Sequence, residues 1–137
     1  MNNYTYDEIY IGLEESFLTE INSEKMDFFL KLSGDNNPLH MDNDFAINKG
    51  FDGRVVYGMA VASLYSTLVG VYLPGERCLL QSVNSDFMRP VYIGDKLQVT
   101  GKVVEKHDTT KRVIIKAEIR NQDGKKVSKA RIEVGLI

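Results

Sequence analysis

Apolar positions change their period twice along this chain. From Ile9 to Ile21 apolar and polar residues mix in an extended or strand-like pattern, broken at Gly12. Met26, Phe29, Leu30 and Leu32 then recur at helical spacing, behind Asn22 and Ser23, whose side-chain oxygens suit an N-cap. Ser33-Gly34 ends that helix, and Asp42-Asn43-Asp44 offers caps for a short second one through Phe45, Ala46 and Ile47. The segment from Tyr57 to Tyr72 is different in kind, because Gly58 to Val71 holds no charged residue. A helix apolar on all sides is a buried one. Pro74-Gly75 stops it well short of the roughly 18 apolar residues that a membrane span requires.

From Arg77 onward the pattern becomes that of strands. Leu79 to Arg89 is a long extended run ended by Pro90, and Lys96 to His107 alternates with Leu97, Val99 and Val103 inward. Asp108-Thr109-Thr110 makes a turn, and Arg112 to Arg120 alternates again through Val113, Ile115, Ala117 and Ile119. Asn121-Gln122-Asp123-Gly124 is a hairpin signal before a last strand, Lys126 to Ile137. One buried helix followed by a meander of antiparallel strands predicts an α+β fold in which the sheet wraps the helix. No linker, repeat or low-complexity tract divides the sequence, so residues 1–137 read as one domain.

Composition narrows the classes. The chain is 43% hydrophobic and 26% charged, with a formal net charge of -2. It carries no Lys/Arg stripe interleaved with aromatics, so no nucleic-acid partner is expected. Lys111-Arg112 and Lys125-Lys126 read as solvated hairpin ends. The single cysteine, Cys78, excludes an internal disulfide framework, and its neighbours Leu79 and Leu80 mark it as a buried strand residue. Met1 to Glu8 has neither the basic start nor the apolar core of a signal peptide. A cytoplasmic protein without membrane association is the expectation.

The candidate chemistry lies in Phe29-Leu30-Lys31-Leu32-Ser33-Gly34-Asp35-Asn36-Asn37-Pro38-Leu39-His40. Asp35 and His40 are an acid and an imidazole able to handle protons near neutral pH. Pro38 fixes its own φ and biases Asn37 away from the helical region, so the link between them is stiff. Two readings follow. The pair converges on one water as a general acid and base, or Asp35 caps a turn and His40 is a surface residue. Spacing alone leans to the second, since Gly-Asp and Asn-Pro are frequent turn pairs.

The wider string shifts that balance. Phe29-x-x-Leu32-Ser33-Gly34-Asp35-x-Asn37-Pro38-Leu39-His40, with Ala46 six residues on, resembles the hydratase signature of the MaoC-like family. That family includes the (R)-specific enoyl-CoA hydratases and has the hot dog fold. Tyr6-Asp7-Glu8-Ile9 with Ile11-Gly12 resembles its opening, and Val56-Tyr57-Gly58-Met59 the entry to its central helix. Leu73-Pro74-Gly75 resembles that helix's exit, and Phe87-x-x-Pro90-Val91 with Gly94-Asp95 the segment after it. The likeness covers nearly the whole chain in order.

The resemblance implies addition of water across the Cα=Cβ bond of an enoyl thioester, giving a (3R)-3-hydroxyacyl thioester, or the reverse. Asp35 and His40 would bind and activate the water, and one of them would supply the Cα proton. The Gly58 backbone N–H, at the start of the apolar helix, would be the oxyanion donor. The alternative for Gly58 is that it merely relieves helix packing. Asn37, Tyr57, Met59 and Ser63 complete the candidate substrate-binding set, each with a structural alternative. Asn37 suits holding the loop backbone better than touching substrate. The family often has a small polar residue near the dyad at Ser63, but a helix carbonyl would equally satisfy that hydroxyl. Tyr57 departs from the histidine more usual before the Gly-Met pair, which leaves substrate-entry contacts open.

His107 reads as a solvated turn residue. With two histidines far apart and no clustered acids, no metal is expected. No phosphate-cradling glycine loop is present. No cofactor is expected beyond coenzyme A or acyl-carrier phosphopantetheine as part of the substrate. The rival readings are a 3-hydroxyacyl carrier-protein dehydratase of a specialised pathway, a hot dog thioesterase, and a non-catalytic acyl-thioester-binding protein. The thioesterase is disfavoured by the absence of Asp or Glu from Val55 to Leu73. A lone hot dog exposes a sheet edge, so a homodimer or higher homo-oligomer is expected.

Overall fold

The computed structural model describes residues 1–137. Five strands, β1 (Glu14–Thr19), β2 (Cys78–Phe87), β3 (Leu97–His107), β4 (Arg112–Arg120) and β5 (Lys126–Leu136), make one antiparallel sheet in the order β1-β3-β4-β5-β2. The helices are α1 (Ser23–Ser33), α2 (Pro38–Met41), α3 (Asn43–Asn48) and α4 (Gly58–Thr67), the last continued by π-type turns at Leu68–Tyr72. Asn22 caps α1 by accepting from Lys25 N–H, and Asp42 caps α3 by accepting from Phe45 N–H.

Register explains the core. Val99 faces Ile119, Gly101 faces Ala117, and Val103 faces Ile115, while Ala117, Ile115 and Val113 meet Ala130, Ile132 and Val134 on β5. These rows give the sheet one apolar face. Against it lie Ala60, Val61, Leu64, Tyr65, Leu68 and Val69, all buried and all from the uncharged segment. The helix sits close because Gly101 has no side chain. A Cβ there would lie 2.7 Å from Leu68 Cδ2 and 3.1 Å from Ile115 Cγ2. The sheet therefore wraps the helix, and the fold is the α+β hot dog.

Four expectations are corrected. Only β3, β4 and β5 form a meander. β2 crosses the sheet to pair with β5, through a link in which Val56 N–H donates to Val91 O at 2.8 Å. As an edge strand β2 leaves both faces open, so Leu79 and Val83 are exposed and Cys78 is only half-buried. Ile9 to Ile21 is strand only over β1, because Gly12 takes φ +98° and turns the chain. Leu32 is 83% exposed, since α1 flanks the body and buries only Met26 fully.

Candidate active site

The C-terminus of α1 aims the chain at the site. Gly34 takes φ +71°, the left-handed cap that a side chain disfavours, and its N–H donates to Leu30 O at 2.8 Å. Ser33 Oγ donates to Phe29 O at 2.7 Å and accepts from Asp35 N–H at 3.1 Å. Asp35 Oδ1 accepts from Asn37 N–H at 3.1 Å, and Asn37 Oδ1 accepts from Leu39 N–H at 2.9 Å. The second bond caps α2, with Pro38 at its first position. Asn37 thus holds the backbone. The stiff link is a one-turn helix rather than an open loop, and His40 rides on it.

His40 is half-buried, and its Nδ1 lies 2.7 Å from Val55 O. A carbonyl only accepts, so Nδ1 carries a proton and the neutral ring presents its lone pair at Nε2. Two further bonds lock α2 to the strand-like segment before α4. Arg54 Nε donates to His40 O at 2.8 Å, and Val55 N–H donates to Leu39 O at 3.1 Å.

Tyr57 is 2% exposed and lies between the two candidate groups. Its ring packs against His40 at 4.2 Å between centroids, tilted by 32°, and against Phe29 at 4.7 Å, tilted by 40°. Its hydroxyl donates to Asp35 O at 2.8 Å. Burial first, and then the Asp35 charge, push the phenol above its ordinary pKa, so it stays a neutral donor. Packed this way, Tyr57 lies behind the cavity that His40 and Gly58 line and is not itself part of its lining.

Gly58 opens α4, and the first helix N–H with an intrahelical partner is Val61, which donates to Tyr57 O. The N–H groups at the start are free donors with the helix dipole behind them. A Cβ on Gly58 would meet the Phe87 ring at 3.8 Å, an ordinary contact, so packing does not demand glycine here. His40 and Gly58 share a cavity of about 300 Å³ with Val61, Phe87, Met88 and Val127. Asp35 is exposed on the adjoining loop, outside the cavity wall.

Two candidates lie elsewhere. Met59 is 65% exposed and does not line this cavity. Ser63 donates to Ala60 O at 2.6 Å and faces a separate apolar groove of about 390 Å³ with Phe17, Phe28 and Phe29. Five residues along a helix turn a side chain about 140° from its start, which separates Ser63 from Gly58. A larger hollow of about 520 Å³ lies among lysines and carboxylates on the outer sheet face, and neither His40 nor Gly58 touches it. The residue that sequence reasoning missed is Val55. It acts through its carbonyl, which no side-chain pattern announces.

Residues 13–125 match the family described as MaoC like domain. The chain is 34% identical over 100 residues to a 3-hydroxybutyryl-CoA dehydratase of Methylorubrum extorquens, covering 73% of this chain and 64% of that protein. It is 33% identical over 111 residues to an (R)-specific enoyl-CoA hydratase of Rhodospirillum rubrum, covering 78% and 77%. Across three curated relatives the match spans 54% to 64% of their length. The unliganded R-hydratase PhaJ1 from Pseudomonas aeruginosa superposes with a TM-score of 0.92 at 31% identity, over 98% of this chain and 86% of that one. No helix of this chain is long and apolar enough to cross a membrane. With its hot dog architecture and a family match that spans most of its length, the chain belongs to the MaoC-like dehydratase family.

Proposed function

We propose that the protein catalyses the reversible hydration of trans-2-enoyl thioesters to (3R)-3-hydroxyacyl thioesters. The observation that carries this reading is the cavity shared by His40, whose Nδ1 is held by Val55 O, and Gly58, the first residue of the donor helix. Asp35 Oδ1 is engaged by Asn37 N–H, which leaves Oδ2 to hold the water. His40 Nε2 accepts a proton from that water as its oxygen bonds to Cβ. The π electrons move onto the thioester as an enolate, whose oxygen takes the Gly58 N–H. A proton is returned at Cα, so one water is consumed and nothing else. Coenzyme A or a carrier phosphopantetheine is part of the substrate, and no separate cofactor enters any step. The hydratase and dehydratase names of the relatives support the reaction class and its stereochemistry.

The proposal includes a homodimer. β2 ends at the cavity through Phe87 and Met88, and its free edge exposes Leu79, Leu80 and Val83. A second copy laid on this edge would cover the apolar side chains and shield the cavity mouth.

The test is the enoyl-thioester absorbance of crotonyl-CoA and of longer 2-enoyl-CoAs, and of the same acyl groups on a carrier protein. Loss of the band with formation of the (3R) product is expected. Turnover only on the carrier-linked substrates would move the protein to the carrier-protein dehydratases. No turnover of any of them would contradict the proposal.

A further inference from the structure

Asp35 stands on a loop that is tethered almost entirely to itself. Residues 33–37 hydrogen-bond within residues 29–40, through Ser33, Asp35, Asn37 and the backbone, with one exception. That exception is the Tyr57 hydroxyl on Asp35 O at 2.8 Å. The same residue packs against the His40 ring and is the N-cap of the helix that begins at Gly58. Phe29 also packs against its ring, and the side chain is fully enclosed. One side chain therefore touches the acid's loop, the imidazole and the root of the donor helix.

We propose that Tyr57 is a positioning residue that sets Asp35 and His40 relative to one another and to the Gly58 N–H. Its hydroxyl fixes the Asp35 loop beside the cavity. Its ring prevents His40 from rotating off Val55 O, and so keeps Nε2 toward the water. A displacement of about 1 Å in either group is enough to cost large factors in rate. The inference rests on the proposed hydration reaction for its kinetic test and stands apart from it in its spectroscopic one.

Tyr57→Phe keeps the ring contacts and removes only the hydroxyl. Its expected result is a kcat on crotonyl-CoA about 10- to 100-fold below wild type, with KM within about threefold. The Asp35 carbonyl ¹³C shift should move while the His40 ring ¹⁵N spectrum stays as in wild type. Tyr57→Leu removes the ring contacts too, and its neutral His40 should show both tautomers. A Phe variant with wild-type kcat, a Leu variant with the wild-type His40 spectrum, or losses that vanish on correction for the folded fraction would each overturn the proposal. If the wild-type protein turns over no enoyl thioester, the reaction fails on its own account and the spectra alone judge Tyr57. Shifts at Asp35 and His40 then uphold it, and unchanged spectra overturn it.

Discussion

His40 Nδ1 and the carbonyl oxygen of Val55 lie 2.7 Å apart, and this contact dictates which ring nitrogen is available for chemistry. The carbonyl holds the proton on Nδ1. In its neutral form His40 is therefore expected to be the Nδ1–H tautomer, read from long-range ¹H–¹⁵N correlations on labelled protein. A dominant Nε2–H tautomer would remove the proton acceptor from the cavity and contradict the assignment.

Gly58 and Gly101 separate function from packing. Gly58→Ala meets only the Phe87 ring at 3.8 Å, so its thermal midpoint should stay close to wild type. Its added methyl crowds the approach to the N–H, and turnover should fall by up to about 10²-fold. Gly101→Ala meets Leu68 at 2.7 Å and should lower stability by about 1–3 kcal/mol. Urea unfolding alongside turnover would distinguish the two. A Gly58→Ala protein with full activity would refute the donor role.

These contrasts show where the sequence was sufficient. The uncharged Gly58–Val71 segment and the alternation at Leu97, Val99 and Val103 are local patterns, and each became the element its period predicts. The caps at Asn22, Gly34 and Asp42 are local chemistry and also read correctly. Strand order is not local. Nothing between Leu79 and Arg89 states that β2 will cross to β5, and its edge position is why its apolar residues are exposed. The site divides in the same way. Asp35 and His40 stand out through the wider string around them and not by spacing alone, whereas Val55 contributes only a carbonyl. Tyr57 gains its contacts because α4 begins beside the α1–α2 turn, a consequence of tertiary packing.

The exposed edge of β2 gives a test of assembly. Val83 is 40% exposed on that edge, where the strand of the proposed second copy would lie. Val83→Glu should convert a dimer into a monomer at micromolar concentration by light scattering, because an unpaired charge opposes a strand-to-strand interface. Turnover should fall with it if the second copy shields the cavity. A wild-type protein that is monomeric at all concentrations would refute the dimer.

Acid sensitivity can be traced to Glu118. Its carboxylate takes Arg120 Nε at 2.9 Å and Lys126 Nζ at 3.0 Å. The hydrogen bond from Arg120, and then that from Lys126, hold its pKa below the ordinary 4.5. Between the ordinary and the lowered value the unfolded chain binds more protons than the folded one. The pair's contribution is therefore complete above the ordinary value and is lost as pH falls through the lowered one. Glu118→Gln should cost about 0.5–1 kcal/mol at neutral pH, a small figure because the carboxylate is a third exposed. The variant should also lose less stability than wild type on acidification. Urea midpoints at neutral pH and near pH 3 check this, and equal losses would refute it.

The central claim is that Asp35 and His40 act on one water as a unit. Its most direct measurement is kcat/KM on crotonyl-CoA for wild type, Asp35→Asn, His40→Ala and the double variant, each corrected for folded fraction. Each single substitution should lower the value by about 10³-fold or more, and the double variant should be little worse than either. Single variants that keep near-wild-type turnover, or losses that simply multiply in the double variant, would contradict it.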